Sequence, residues 1–233
     1  MNQPIVTALE QAVQHVRDRD VPLAERLNYI ASQVRTLSPE FANAVDTFVD
    51  RLERSGAGDQ APAVGDVMPS FILPDDQGRL VSLEQLLEVA PVVVAFHRGH
   101  WCPYCRLNAA GLAQIENDIK PVQIVAISAE TQSYTRELKA ESRANFPFLT
   151  DVSNGYALSL NLAIWVDDAM SELIASVGWD IPKYQGSDGW ILPIPSVFVV
   201  GQDGLIKARH VDPDYRRRLE LNDLRIAARS VLA

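Results

Sequence analysis

Cysteine is scarce: the 233 residues hold only Cys102 and Cys105, three positions apart. Such a pair cannot build a structural disulfide framework. No apolar run is long enough to span a bilayer, so a membrane is not expected as a partner. The opening Met-Asn-Gln-Pro-Ile-Val-Thr-Ala-Leu-Glu has neither a basic start nor a continuous apolar segment, so no secretory signal is expected and the thiols are expected in the reducing cytoplasm. Positive charge is also in deficit. Against 30 Asp and Glu stand 21 Lys and Arg, a net charge of −9, which argues against nucleic acid or an anionic membrane surface. The chain has no Gly-x-Gly-x-x-Gly, no P-loop and no serine-nucleophile motif; Gly78 and Asp203-Gly204 read as turns, not phosphate cradles.

What is there suits a protein with an ample core: 47% hydrophobic and 22% charged residues. Residues 1–55 read as a helical extension. Ile5, Leu9, Val13 and Val16 form one stripe, Leu23, Leu27, Ile30, Val34 and Leu37 a second, and Phe41, Val45, Phe48 and Leu52 a third. Ser38-Pro39 supplies a cap and a first-turn proline for the last. Such stripes predict a face packed on the main domain or on a second subunit, and a homodimer is compatible with them. Residues 56–63, small and proline-ended, read as a linker. Residues 64–233 then alternate strands and helices, with hairpin signals at Asp75–Gly78 and Gly201–Gly204 and a final helix from about Asp214 or Arg217. A βαβ unit followed by an antiparallel hairpin and a last helix predicts an α/β fold: a mixed central sheet flanked by helices, in the order of the thioredoxin fold.

The chemistry concentrates in His97-Arg-Gly-His-Trp-Cys-Pro-Tyr-Cys105. The apolar run Val92–Phe96 before it reads as a buried strand, and Arg106–Glu116 after it reads as a helix. The cysteines thus fall where a strand turns into a helix, whose unpaired N–H groups and partial positive charge favour a thiolate. At the cap, Cys102 is expected to be exposed, to have the lower pKa and to act as nucleophile, with Cys105 resolving. Arg98 adds positive potential or is a solvated surface charge. Pro195, just before the late strand, is expected to be cis beside the CxxC pair. His97, His100, Cys102 and Cys105 also have a metal-like pattern, but such a site would be very compact and no metal is expected. His100 reads as an exposed loop residue or as a group that stabilises the thiolate. The other tryptophans read as core or as a roof over the cysteines.

These residues resemble the alkyl hydroperoxide reductase/thiol-specific antioxidant (AhpC/TSA) family of peroxiredoxin-like proteins, within the thioredoxin superfamily. The resemblance runs through Val64–Leu73, Phe96–Cys105, Phe146–Asp151 and Pro195–Gly204, and the helical extension resembles one found in a peroxiredoxin-like subgroup. It implies catalytic roles for Cys102, Cys105, Arg98, Trp101 and Pro195. It also implies a thiol peroxidase for hydrogen peroxide or organic hydroperoxides, regenerated by a thioredoxin- or glutaredoxin-like reductant, with no cofactor. A disulfide reductase or isomerase is the alternative, and a redox sensor a third. The family's Pro-x-x-x-Thr/Ser-x-x-Cys register, anchored on Phe96, instead puts Cys105 in the peroxidatic position and Cys102 in place of the Thr/Ser. No match to the family's second arginine is evident near Pro195.

Overall fold

The computed structural model describes residues 5–232. Three helices come first: α1 (Ile5–Arg17), α2 (Leu23–Leu37) and α3 (Pro39–Arg54). Their inward residues follow the three stripes, with Val13, Val16, Leu27, Ile30, Val45 and Phe48 all buried. Ser38 serves two helices at once. Its N–H donates to Val34 O at 2.8 Å, closing α2, and its Oγ accepts from the Phe41 N–H at 3.2 Å, opening α3.

The remainder is built on a five-stranded sheet. A small hairpin, β1 (Ile72–Pro74) and β2 (Leu80–Ser82), precedes α4 (Leu83–Val89) and β3 (Val92–Phe96). Next come α5 (Pro103–Ile115), β4 (Gln123–Ser128), α6 (Gln132–Ser142) and β5 (Phe148–Thr150). An irregular stretch holds α7 (Gly155–Ser159), β6 (Ala163–Trp165), α8 (Asp168–Ser176), α9 (Ile181–Gln185) and β7 (Ile191–Pro193). The hairpin β8 (Ser196–Val200) and β9 (Ile206–Val211) and the helix α10 (Leu221–Ser230) end the chain. The sheet order is β5-β4-β3-β8-β9. β3, β4 and β5 run parallel, and β8 and β9 add antiparallel beside β3. All five residues of β3 are buried, because the central strand is covered on both faces.

The fold is the expected mixed-sheet α/β class, and the first three helices share one core with it. α1 and α2 pack on α5, and α3 packs on α8. Polar ties reinforce the seam. Glu220 accepts the Leu23 and Ala24 N–H groups at 3.1 and 2.7 Å, capping α2 from across the chain. Arg216 meets Asp46 of α3 at 2.5 Å.

Two local expectations are corrected. The last helix begins at Leu221 rather than near Asp214, because Asp212 and Asp214 bend the preceding segment. The Asp212 Oδ1 accepts the Asp214 N–H at 2.8 Å and the Asp214 Oδ1 accepts the Arg216 N–H at 3.1 Å, local bonds that compete with helix. The Ile194–Pro195 peptide is trans, and the one cis peptide among the described residues is Lys120–Pro121. Pro195 joins two strands of different sheets, and the Ile194 N–H just before it donates to Leu162 O at 2.7 Å.

Candidate active site

The loop between β3 and α5 has little freedom. The His97 N–H donates to Ile127 O at 2.8 Å, extending the β3–β4 pairing by one residue. Gly99 has φ +143°, and a Cβ there would lie 2.4 Å from the Glu130 Oε1 and 2.8 Å from the Trp101 Nε1. Only glycine fits that close approach. The His100 N–H donates to Glu130 Oε2 at 2.7 Å, and the His100 Nδ1 lies 2.6 Å from Glu130 Oε1. Glu130, fully buried just past the end of β4, thus anchors the loop, and burial raises its pKa against the lowering effect of His100.

Cys102 is the N-cap of α5, with Pro103 in the first turn. Both sulfurs are free thiols. The expected exposure of Cys102 is not found: Cys102 is 1% and Cys105 0% exposed. The cap is covered from outside by α1, α3 and the α8–α9 region, which the spacing of two cysteines cannot reveal.

The electrostatics divide the pair. Burial pushes the Cys102 thiol well above the ordinary range, and the neighbouring Cys105 adds to the rise. Burial also acts to raise Cys105, but the hydrogen bond with Cys102 and the Arg218 charge outweigh it and hold Cys105 well below the ordinary range. The geometry agrees. The Cys105 Sγ accepts the Arg98 backbone N–H at 3.3 Å and the Arg218 Nη2–H at 3.5 Å. His97 is pushed down to about 4, mainly by burial, so near neutral pH it adds no charge; its Nε2 lies 3.0 Å from the Asn108 Nδ2.

Arg98 is buried, not a solvated charge. Its guanidinium sits 4.0 Å over the Tyr215 ring and 5.2 Å from that of Trp101. Arg218 also donates to the Tyr215 and Arg217 carbonyls. The Nε atoms of both arginines are buried and lack a hydrogen-bond partner. The Arg218 guanidinium at the Cys105 sulfur, with the Arg98 charge also acting on Cys102, leaves positive charge facing the pair, an arrangement suited to a developing anion.

Of the residues expected to act, Cys102, Arg98 and Trp101 line one cavity and Cys105 lies behind Cys102 at the arginines. Pro195 is not among that cavity's lining residues. Trp179 roofs the site 5.4 Å from Trp101, whereas Trp165 is 58% exposed. His97 and His100 turn to Asn108 and Glu130, so the metal-like pattern does not converge; no metal-type cluster of three His, Cys, Asp or Glu groups occurs among the described residues. Sequence reasoning missed Arg218, Tyr215 and Glu130. The basic run Arg216-Arg217-Arg218 in an acidic chain was one available signal. The position of Glu130 at the C-terminal end of a parallel strand was another.

The sequence profile of the AhpC/TSA family matches residues 64–209. The chain belongs to the AhpC/TSA family. As a member it is a thiol-redox oxidoreductase on a thioredoxin-like fold. Among curated proteins, none matches its sequence. Solved structures share the fold at low identity. Peroxidoxin BcpB from Mycobacterium tuberculosis is 18% identical with a TM-score of 0.55, the match covering 72% of this chain and 96% of that one. A peroxiredoxin-like protein from Aquifex aeolicus is 11% identical with a TM-score of 0.58, covering 73% and 88%. A cysteine-to-serine variant of PrxQ from Xylella fastidiosa is 10% identical with a TM-score of 0.55, covering 73% and 98%. The AhpC/TSA match begins after the three N-terminal helices and ends before Arg218. The wall that Leu9, Phe41 and Phe48 give the site, and one of its two arginines, therefore lie outside the matched residues. No described helix is long and apolar enough to cross a membrane.

Proposed function

We propose that this chain is a thiol peroxidase in which Cys105 attacks and Cys102 resolves. The observation that carries the reading is the Cys105 sulfur held between the Arg98 N–H and the Arg218 guanidinium, 3.3 and 3.5 Å away. The Cys105 thiolate attacks the terminal oxygen of ROOH and the O–O bond breaks. The departing RO⁻ takes the Cys102 proton, giving Cys105–SOH, ROH and a Cys102 thiolate. That thiolate displaces hydroxide from the sulfenic sulfur, closing a Cys102–Cys105 disulfide, and the hydroxide becomes water with a proton from solvent. An external dithiol, thioredoxin- or glutaredoxin-like, returns both thiols and is itself oxidised. Arg98 and Arg218 stabilise the anionic sulfur and the charge that develops on the leaving oxygen. Trp101 walls the site. Burial of both sulfurs disfavours a protein disulfide as the first electrophile, which weighs against the reductase reading.

Reduced protein mixed with hydrogen peroxide tests the assignment. The wild type is expected to react far faster than a free thiol and to end two mass units lighter, by loss of two hydrogens. Cys102→Ser should react once and stop as a sulfenic acid that dimedone traps, whereas Cys105→Ser should fall to the background rate. The opposite pattern would exchange the two roles. A wild type no faster than a free thiol would remove the peroxidase reading.

A further inference from the structure

The cavity over Cys102 has walls of two origins. Arg98, Trp101 and Tyr215 face it from around the sheet, and Leu9, Phe41 and Phe48 from the N-terminal helices. It measures about 20 Å³. One water needs roughly 10–15 Å³, so the space suits a molecule about the size of hydrogen peroxide better than one with a carbon skeleton. Just outside lies an open groove of about 660 Å³, between α3 and α8. Phe48 and Met170 line both spaces, and both are buried. They form the wall between this groove and the cavity.

The wall is held from both sides. The Arg51 guanidinium lies 5.0 Å over the Phe48 ring and pairs with Asp167 at 2.7 Å across the groove. The Asp167 Oδ1 accepts the Met170 N–H at 2.9 Å. One exposed bridge therefore links the helix turns that carry both side chains.

We propose that Phe48 and Met170 are specificity-determining residues that admit hydrogen peroxide to the thiols and exclude hydroperoxides with a bulky carbon skeleton. The proposal rests on the peroxidase reading above. A peroxide approaches the Cys102–Cys105 pair through the cavity that Cys102 lines, so whatever its terminal oxygen carries must fit there. For hydrogen peroxide that is one hydroxyl. For an aromatic hydroperoxide it is a ring, and an apolar cavity that takes a ring measures about 150 Å³. Close-packed interiors do not open such space without cost. Truncating Phe48 would supply it and join the groove to the cavity.

The test is the single-turnover oxidation rate of the full reduced chain with hydrogen peroxide and with cumene hydroperoxide. The wild type is expected to prefer hydrogen peroxide by about 100-fold or more. Phe48→Ala should raise the ratio of the cumene hydroperoxide rate to the hydrogen peroxide rate about tenfold or more. Met170→Ala, the milder truncation, should shift the ratio the same way and guards against a Phe48→Ala chain that fails to fold, which circular dichroism would reveal. Equal wild-type rates with the two oxidants, or folded variants that leave the ratio unchanged, would overturn the gate alone. Slow reaction with both oxidants in every chain would overturn the peroxidase reading and the gate with it.

Discussion

The N-terminal helices and the sheet region meet at the same two sulfurs but bring different things to them. The sheet region supplies polarity: a strand-end loop pinned by Glu130, a helix N-terminus, the Arg98 N–H and, from the segment after β9, the Arg218 guanidinium. The helices supply Leu9, Val34, Phe41, Val45 and Phe48, all apolar. A sulfur buried by apolar groups alone would be a high-pKa thiol, which is the state of Cys102. Placing charged donors behind the pair and apolar walls in front keeps a thiolate ready while water is largely excluded. On the peroxidase reading proposed above, reactivity and access reside in different parts of the chain, and substitutions should separate them.

Arg218 gives the largest expected effect among the substitutions that spare the thiols. Arg218→Met removes the cation 3.5 Å from the Cys105 sulfur, so the Cys105 pKa should rise. Each unit of rise lowers the thiolate fraction about tenfold at a pH below the new value, so the hydrogen peroxide rate at pH 7 should fall by about that factor or more. A titration followed by thiolate absorbance measures the pKa directly. Raising the pH should restore much of the rate, which a merely misfolded site would not do. An unchanged pKa would break the comparison, leaving the loop and the helix terminus as the whole source of polarity. Phe48→Ala should leave that pKa where it is.

His97 sharpens the same contrast through stability. Burial holds its folded pKa at about 4, below the ordinary 6.5. Between those values the unfolded chain binds a proton that the native chain refuses. Stability is therefore unaffected by this group above pH 6.5 and falls as the pH drops from there toward 4. At pH 5 the loss should be about 2 kcal/mol relative to pH 7. His97→Gln keeps an amide for Asn108 and removes the titration, so urea midpoints measured at pH 7 and pH 5 should converge in the variant. A difference as large as in the wild type would assign the acid sensitivity elsewhere.

Much of the sheet region was legible because its signals are local. Val92–Phe96 reads as a buried strand from its own residues, and Asp75–Gly78 and Gly201–Gly204 carry the turn chemistry that makes their hairpins. The helical stripes were equally plain, since a 3.6-residue period marks a buried face. What a stripe leaves out is the surface it covers. That Leu9, Phe41 and Phe48 end over Cys102 depends on contacts reaching from α1 to α5 and from α3 to α8. The expected exposure of Cys102 failed for that reason. Arg218 was hidden in the same way, being 113 positions from the sulfur it touches. The charge that favours the thiolate was sought near Pro195 and comes from the segment after β9, where the turns of Asp212 and Asp214 hold back the helix.

The smallest effect tests whether the helices touch the chemistry at all. Ser38 caps α3 through the Phe41 N–H, 3.2 Å from its Oγ, and Phe41 lines the cavity. Ser38→Ala should cost about 1 kcal/mol, the ordinary worth of such a cap, read as a lower urea midpoint at unchanged slope. If the helices govern access only, the hydrogen peroxide rate of the variant should stay within about twofold of the wild type under native conditions, since an electrostatic donor to sulfur is not among the groups disturbed. A larger fall, at a pH where the chain is fully folded, would mean that the fit of α3 also positions Arg218, through the Asp46–Arg216 pair that ties the two segments together. The division between access and reactivity would then be one of side-chain chemistry and not of mechanical independence.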